Sequence, residues 1–461
     1  MPRLLSVGVA DSNKSSDSQA WKGADVLDRT RFLGDRLWSL GFAAFFAAFF
    51  VVPDVSSSIS KLMVLAAAFM LLRRPIVLRE VRWEIVLLFL LPLLIYLFSM
   101  SLHEWNHRQM GRPLHMAYAV LILLALRQVD LDLKYVLHGV SAALAIGLCV
   151  AMHERFTLDA ARVFGPLSGA DFGNYAAPLA VGLVLGAIRQ GTSPVGAING
   201  ELPNIVRLQY FLAAISGLMM AIWSGSRSSL LIIVLSIPLL ALVDRRRKSS
   251  PLFVPVGLGA VGLLGFSAWN VFHERILSMY RETMAFFLGE AAAYQSTSTG
   301  IRWESIRIGV DLCSEHPALG MGINAFKRYA RALAEAGTIS DEIPSFFGML
   351  HNQFLDACVL LGLPGVLLLL LFWLFMFRVC YACLKRTSTP YAHTLTLILA
   401  AVSIGYFVSS TTGSMFSSTK GTVFICVCWT LLLYLYANSY PGALYRASAR
   451  APGRSASFGR M

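Results

Sequence analysis

The stretch GVLLLLLFWLFMF at residues 365–377 contains no charged side chain. A similar run, GFAAFFAAFFVV, occupies residues 41–52, and further apolar runs recur along the 461-residue chain. Hydrophobic residues make up 56% of the sequence and charged residues only 14%, whereas a soluble domain carries about 25% charged residues. Because a helix needs about 20 mostly apolar residues to cross a bilayer, these runs predict an all-α polytopic membrane protein.

The apolar runs predict about twelve membrane-spanning helices, the ninth of them at 252–271. The tenth, at 351–378, is interrupted by GLPG at residues 362–365, which predicts a kink. In chain order, the predicted organisation is a disordered cytoplasmic tail at 1–30, helices one to nine at 31–271, a large helical periplasmic loop at 272–350, helices ten to twelve at 351–437, and a basic cytoplasmic tail at 438–461.

Basic residues predict the orientation of these helices. Arginine and lysine are concentrated in one set of connections, which includes residues 73–82, DRRRK at 244–248 and both tails. Since cytoplasmic connections carry the excess of basic residues, both termini are predicted to be cytoplasmic and the large loop periplasmic. The formal net charge of +13 then reflects orientation and contact with anionic membrane lipid. The sequence shows no cluster of basic residues that would lie on one folded face, so no nucleic-acid partner is expected.

The seven cysteines show no usable pairing pattern. Only Cys313 falls in a long polar segment, and the others lie in apolar runs, where a thiol behaves as a small hydrophobic group. The sequence therefore predicts neither a disulfide framework nor a cysteine metal site.

Polar residues near the outer ends of the predicted helices are candidates for a functional site. Arg227 lies in a short turn among small residues, Arg302 opens an amphipathic helix, and His351 follows the long loop. Taken singly, these positions suit an interface arginine, a solvated helix face and a helix-terminal cap. Taken together, two arginines suit phosphate and a histidine can accept a proton near neutral pH. Lys61 and Lys420 also lie near outer helix ends, so the set favours transfer from a lipid-linked phosphate donor.

Two motifs give the chain a family resemblance. RSSLL at 227–231 resembles the R-x-x-x-L motif of O-antigen ligases. HNQFLDACVLLGLPG at 351–365 resembles their H-[NSQ]-x9-G-x-x-[GTY] motif, with His351, Asn352, Gly362 and Gly365 in register. The stretch RWESIRIGVDLCSEHPALGMGINAF at 302–326 is similar to the segment before that histidine in the ligase/polymerase superfamily.

The resemblance implies a GT-C-like, inverting glycosyltransferase of the bacterial inner membrane that uses neither a metal nor another cofactor. Such a ligase moves a glycan from undecaprenyl pyrophosphate to a hydroxyl of the lipid A-core oligosaccharide at the periplasmic face. Carried over by position, Arg227 and Arg302 would bind the pyrophosphate and stabilise its growing charge, and His351 would remove the proton from the acceptor hydroxyl. Asn352, Lys61 and Lys420 complete the predicted substrate-binding set.

The pentapeptide HEWNH at 103–107 matches the H-E-x-x-H pattern of zinc peptidases. On a helix, His103 and His107 would share one face. The motif falls in a short connection, however, and no third ligand has persuasive spacing, which favours a solvated outer loop near the glycan acceptor. The alternatives that stay open are an O-antigen polymerase, a lipid or glycan transporter, and a zinc membrane protease.

Overall fold

The computed structural model describes residues 33–73, 81–105, 110–111, 113–158, 160, 163, 165–167, 169–189, 202–243, 273, 277–290, 297–322, 324–346, 350–387, 389–413 and 418–439. The predictions for the two tails and for a ninth membrane helix at 252–271 lie outside the described residues.

Helices dominate the described part of the chain, which confirms the predicted all-α class. Their bounds, in chain order, are α1 33–49, α2 Pro53–Arg73, α3 Trp83–Phe89, α4 Leu91–Leu102, α5 His115–Leu126, α6 Leu133–Phe156, α7 Gly169–Arg189, α8 Asn204–Trp223, α9 Arg227–Val243, α10 277–288, α11 Ser298–Glu315, α12 Ala325–Glu335, α13 Glu342–Phe346, α14 Gln353–Arg386, α15 Pro390–Thr412 and α16 Thr419–Ser439.

Seven of the described helices, α2, α6, α7, α8, α14, α15 and α16, are long and apolar enough to cross a membrane. The pair α3 and α4 is bent by 71° and adds an eighth candidate if it forms one broken span. Helices α5 and α9 are apolar but shorter. The chain is therefore a multi-pass membrane protein, while the total of twelve spans stays a prediction.

An aromatic stripe on α1 forms one side of the bundle core. Its four phenylalanines, and Phe50 directly after its end, recur at the three- and four-residue spacing that places side chains on one helix face. Each of them is at most 1% exposed: Phe42, Phe45, Phe46, Phe49 and Phe50. The ring of Phe49 lies 4.5 Å, centroid to centroid, from that of Phe424 on α16. Since lipid is as apolar as these side chains, close packing rather than water exclusion holds such helices together.

Helices α7 and α15 cross in close backbone contact at the middle of the bundle. A Cβ atom at Gly182 of α7 would lie 2.3 Å from the Cα atom of Ile398 on α15. Only glycine allows two helix backbones to approach this closely. This crossing fixes the two helices whose ends border the candidate site.

Helices α11 to α13 pack around an apolar core of their own. Its buried members include Ile308, Phe326 and Leu350, together with Val359 from the first turns of α14. Trp303 of α11 also stacks on Phe286 of α10, with ring centroids 5.8 Å apart. The segment predicted as a large helical loop thus contains the four helices α10 to α13 in its described part, and its core continues onto the helix that follows His351.

Candidate functional site

His351 occupies a constrained position immediately before α14. Its backbone adopts the left-handed conformation, with φ of 54°, which histidine tolerates better than most side chains but which still requires support from its surroundings. The preceding Leu350 supplies that support, because its side chain is fully buried in the core formed by α11 to α13. The backbone geometry therefore holds the imidazole at the start of α14.

Arg302 and His351 are close enough for the charge of one to act on the other. Burial lowers the pKa of His351 from 6.5 to about 4, and the positive charge of Arg302 contributes in the same direction. The guanidinium comes from α11 and is itself exposed. The fold thus brings together two of the three predicted principal residues, and it keeps the imidazole neutral and able to accept a proton near pH 7.

Asn352 connects the start of α14 to the end of α15. Its side-chain oxygen accepts hydrogen bonds from the backbone N–H groups of Phe354 (2.9 Å) and Leu355 (3.1 Å), so it is the N-cap of α14. Its side-chain nitrogen donates to the carbonyl oxygen of Thr411, 3.2 Å away. These contacts give Asn352 a role in positioning His351; its predicted role in binding substrate stays a prediction.

The predicted kink in the tenth membrane helix is confirmed at Gly362, where φ is 70° and ψ is −160° within α14. The break leaves backbone groups available to the loop after α11. Leu363 N–H donates to the Pro317 carbonyl at 2.7 Å, and Met321 N–H donates to the Val359 carbonyl at 2.8 Å. The G-x-x-G part of the motif therefore forms the docking point for the segment 317–322.

A disulfide bond joins Cys313 of α11 to Cys358 of α14, so the prediction of no disulfide was wrong. Cys358 was assigned to an apolar run, and it is indeed only 2% exposed. The kinked start of α14 contacts both the membrane bundle and α11, and Cys358 lies on the side that faces α11, which places the two thiols together. The bond covalently links the helix that carries Arg302 to the helix that follows His351.

The first two residues of HEWNH contact the same docked segment. His103 Nε2 donates to the Leu319 carbonyl at 3.0 Å. The Glu104 carboxylate accepts a hydrogen bond from Asn324 Nδ2 at 3.1 Å and forms an ion pair with Arg328 at 2.8 Å. Hydrogen bonds from Asn324 and Arg328 lower the pKa of Glu104.

These contacts favour a structural role for HEWNH over a zinc site, since the histidine and the glutamate both bind the polypeptide itself. His107 lies outside the described residues. Among the residues that are described, no group of three His, Cys, Asp or Glu side chains is arranged to hold a metal ion.

Arg227 is the first residue of α9, and the structure describes the backbone there but not its side chain. The turn before it is fixed to α7, because Ser226 Oγ donates to Asn174 Oδ1 at 3.0 Å. Helix α7 in turn contacts α15 through the stacked rings of Tyr175 and Tyr406. Arg227 therefore starts its helix at the same end of the bundle as His351.

Lys61 and Lys420 lie along the seam between α2 and α16. The Lys420 ammonium is 3.6 Å from the Asp54 carboxylate at the start of α2. Lys61 lines a cavity between α2, α5 and α16. Among the described residues, neither lysine contacts Arg302 or His351. The predicted common rim of cations therefore stays a prediction.

Comparisons with known proteins show which family this chain resembles. A protein-family model described as O-antigen ligase matches residues 212–370, a range that contains Arg227, Arg302, His351 and both motifs. A Haemophilus influenzae protein described as "Uncharacterized protein" is 21% identical over 301 residues, which cover 62% of this chain and 70% of that protein. The family match over this part of the chain and the membrane-helical fold together support a membrane protein of the O-antigen ligase/polymerase superfamily.

Proposed function

We propose that this protein is an inverting glycosyltransferase that moves a glycan, the O-antigen, from undecaprenyl pyrophosphate to a hydroxyl of the lipid A-core oligosaccharide. The observation that carries the proposal is the neutral, half-buried imidazole of His351 within the electrostatic reach of Arg302. A base beside a fixed cation suits a reaction that removes a proton at one atom while negative charge develops nearby.

In the proposed reaction, His351 accepts the proton of the acceptor hydroxyl as its oxygen attacks the anomeric carbon of the glycan. The bond between that carbon and the pyrophosphate oxygen breaks, and undecaprenyl pyrophosphate leaves with the electron pair. Arg302 and Arg227 stabilise the charge on the leaving group through guanidinium–phosphate hydrogen bonds. A single displacement of this kind inverts the configuration of the anomeric carbon.

The proximity of Arg302 to His351 links the basicity of the imidazole to binding of the donor. Without a bound phosphate, burial and the guanidinium charge hold the imidazole neutral. A bound pyrophosphate would offset the positive charge of Arg302, and the basicity of His351 would rise. The base would therefore become strongest when the donor is in place.

The disulfide supports a periplasmic position for this site. Disulfides form and persist in oxidising compartments such as the bacterial periplasm and are rare in the cytoplasm. Cys358 lies seven residues after His351 in α14, on the side of the kink that faces α11. The proposal places this end of the bundle at the periplasmic face of the inner membrane and both termini in the cytoplasm, as the distribution of basic residues predicts.

Purified protein in nanodiscs should transfer glycan from undecaprenyl pyrophosphate to the lipid A-core oligosaccharide in the presence of EDTA. The product is identified by mass spectrometry, and NMR should show an inverted anomeric linkage. Extension of lipid-linked repeats in place of this product would indicate the polymerase reaction. Transport into proteoliposomes without any covalent product would replace the proposal with a transporter, and loss of activity in EDTA would contradict the metal-independent mechanism.

The acid limb of the pH dependence should lie closer to pH 4 than to pH 6.5, because imidazolium cannot accept a proton and the pKa of His351 is lowered to about 4. Arg302→Gln removes one cause of the lowered pKa, so we expect the acid limb of kcat/KM to move to higher pH as overall activity falls. Burial persists in the variant, and the limb should therefore stop short of pH 6.5.

Arg331→Gln, which changes an exposed arginine of α12, is the matched control and should leave the acid limb in place. An acid limb near pH 6.5 in the wild type, unchanged by Arg302→Gln, would show that His351 does not titrate as the base.

A further inference from the structure

Helix α10 carries an exposed apolar face, formed by Tyr280, Met284, Phe287 and Leu288. These side chains are 58%, 42%, 67% and 72% exposed, respectively. The last three lie four, seven and eight positions after Tyr280, a spacing that places all four on one side of a helix. Large apolar side chains gathered in this way mark a surface that contacts an apolar partner.

The remaining sides of α10 are polar or packed on α11. Trp303 Nε1 donates to Thr283 Oγ1 at 3.3 Å, and the Trp303 ring stacks on Phe286. Ser278 Oγ donates to the Glu282 carboxylate along the opposite flank. Helix α10 is therefore amphipathic, and its contacts with Trp303 fix it on α11 with the apolar face left exposed.

Helix α10 is held near one surface of the membrane. The part of α14 after its kink, residues 363–386, extends roughly 36 Å at 1.5 Å per residue, enough to cross a hydrocarbon layer of about 30 Å. The start of α14 therefore lies at one surface. Helix α11 lies beside it, through the Cys313–Cys358 bond and the proximity of Arg302 to His351, and α11 carries α10.

The chain before α10 also limits its distance from the membrane. The apolar run at 252–271, predicted as the ninth membrane helix, lies outside the described residues. Only five residues separate the end of this run from Leu277, the first residue of α10, and so short a connection reaches at most about 20 Å. With the predicted ninth helix in the membrane, α10 has to lie at its surface or close to it.

The composition of α10 suits a lipid surface. Tyr280 adds a hydroxyl to the apolar face, as aromatic residues at headgroup level do. Arg281 is exposed beside this face, where its methylene groups can lie on apolar chains while the guanidinium reaches lipid phosphates. At twelve residues, α10 is about 18 Å long and too short to cross the membrane, so it lies along the surface.

We infer that α10 is an interfacial helix whose apolar face inserts into the acyl chains of the membrane leaflet nearest His351. Under the proposed orientation this is the periplasmic leaflet. Since Trp303 directly follows Arg302 in α11, the inserted α10 holds Arg302 close to the level of the lipid headgroups, where the phosphates of a lipid-linked substrate lie. The inference requires the membrane-spanning fold and does not depend on the proposed reaction.

Spin labelling of the full-length protein in lipid nanodiscs tests the position of α10. Two of the seven cysteines form the disulfide, four are buried and Cys149 is exposed, so Cys149→Ser gives a background in which one added cysteine can be labelled. A nitroxide at Phe287→Cys should be accessible to oxygen, which dissolves in lipid, and shielded from the water-soluble complex Ni(II)EDDA. We expect it to lie roughly 5–10 Å into the boundary between headgroups and acyl chains.

Glu335→Cys is the control, because Glu335 is exposed at the end of α12, and a label there should be readily accessible to Ni(II)EDDA. Leu288→Cys, on the same apolar face, repeats the measurement if Phe287→Cys does not fold. A label on the apolar face that Ni(II)EDDA reaches as readily as position 335 would place this face in water. A label shielded from both reagents would show that protein covers it, and either result would overturn the inference. The measurement requires no glycan transfer, so its outcome is independent of the proposed function.

Discussion

Replacing His351 with asparagine should reduce glycan transfer by about 10²- to 10⁴-fold, the usual contribution of a positioned general base. Asparagine is the informative substitution because His351 has a positive φ, and asparagine accepts that conformation better than alanine does. The variant therefore removes the base and adds little backbone strain. Transfer rates with saturating donor and acceptor, together with a thermal unfolding curve, separate lost chemistry from lost folding.

His316→Asn is the matched control for this experiment. His316 is an exposed histidine at the end of α11, close in sequence to the docked segment, and its replacement should leave transfer within about twofold of the wild type. Wild-type transfer by His351→Asn would remove the base assignment. An unfolded His351→Asn protein would show instead that the residue acts mainly in the structure.

The Gly362→Ala substitution is expected to have the second large effect. Gly362 has φ of 70° and ψ of −160°, a combination nearly restricted to glycine. An added Cβ would lie 2.4 Å from the Pro317 carbonyl oxygen, so the segment 317–322 could not remain docked at the kink. We expect the substitution to lower the free energy of unfolding by about 3 kcal/mol and to reduce transfer at least tenfold, because this segment holds the start of α14.

Gly337→Ala separates backbone strain from the clash. Gly337 has φ of 69°, but nothing lies within 4 Å of a Cβ built there, so its replacement should cost about 1 kcal/mol and leave transfer unchanged. Equal losses of stability for the two alanine variants, measured from thermal unfolding, would show that the docked segment contributes nothing beyond the conformation of Gly362.

The membrane-helical class, the kink and the proximity of Arg302 to His351 could all be anticipated from the amino-acid sequence. The first two follow from local patterns, since apolar runs form helices in lipid and GLPG at 362–365 breaks one. The expectation that Arg302 and His351 lie together followed from the resemblance of the segments 302–326 and 351–365 to those of a known family. Roles for Arg227, Lys61 and Lys420 in binding substrate remain predictions.

Contacts between distant segments could not be read from local patterns. Glu104 and Arg328 are 224 residues apart in the chain, and no periodicity relates them. Cys358 resembles an ordinary core residue in an apolar run, and only the position of the kink reveals that it faces α11. Cys313 did stand out as the one cysteine in a long polar segment, which was a signal for a partner that local reasoning did not find.

The break at Gly362 separates the start of α14, which follows His351, from the rest of that helix. Residues 353–361 link two apolar cores. Val359 belongs to the core of α11 to α13 and Cys358 is bonded to α11, whereas Leu360 and Leu361 belong to the core of the membrane bundle. A movement of α11 would therefore be passed to the membrane bundle through this short segment, and the Cys313–Cys358 bond would make Arg302 and His351 move together.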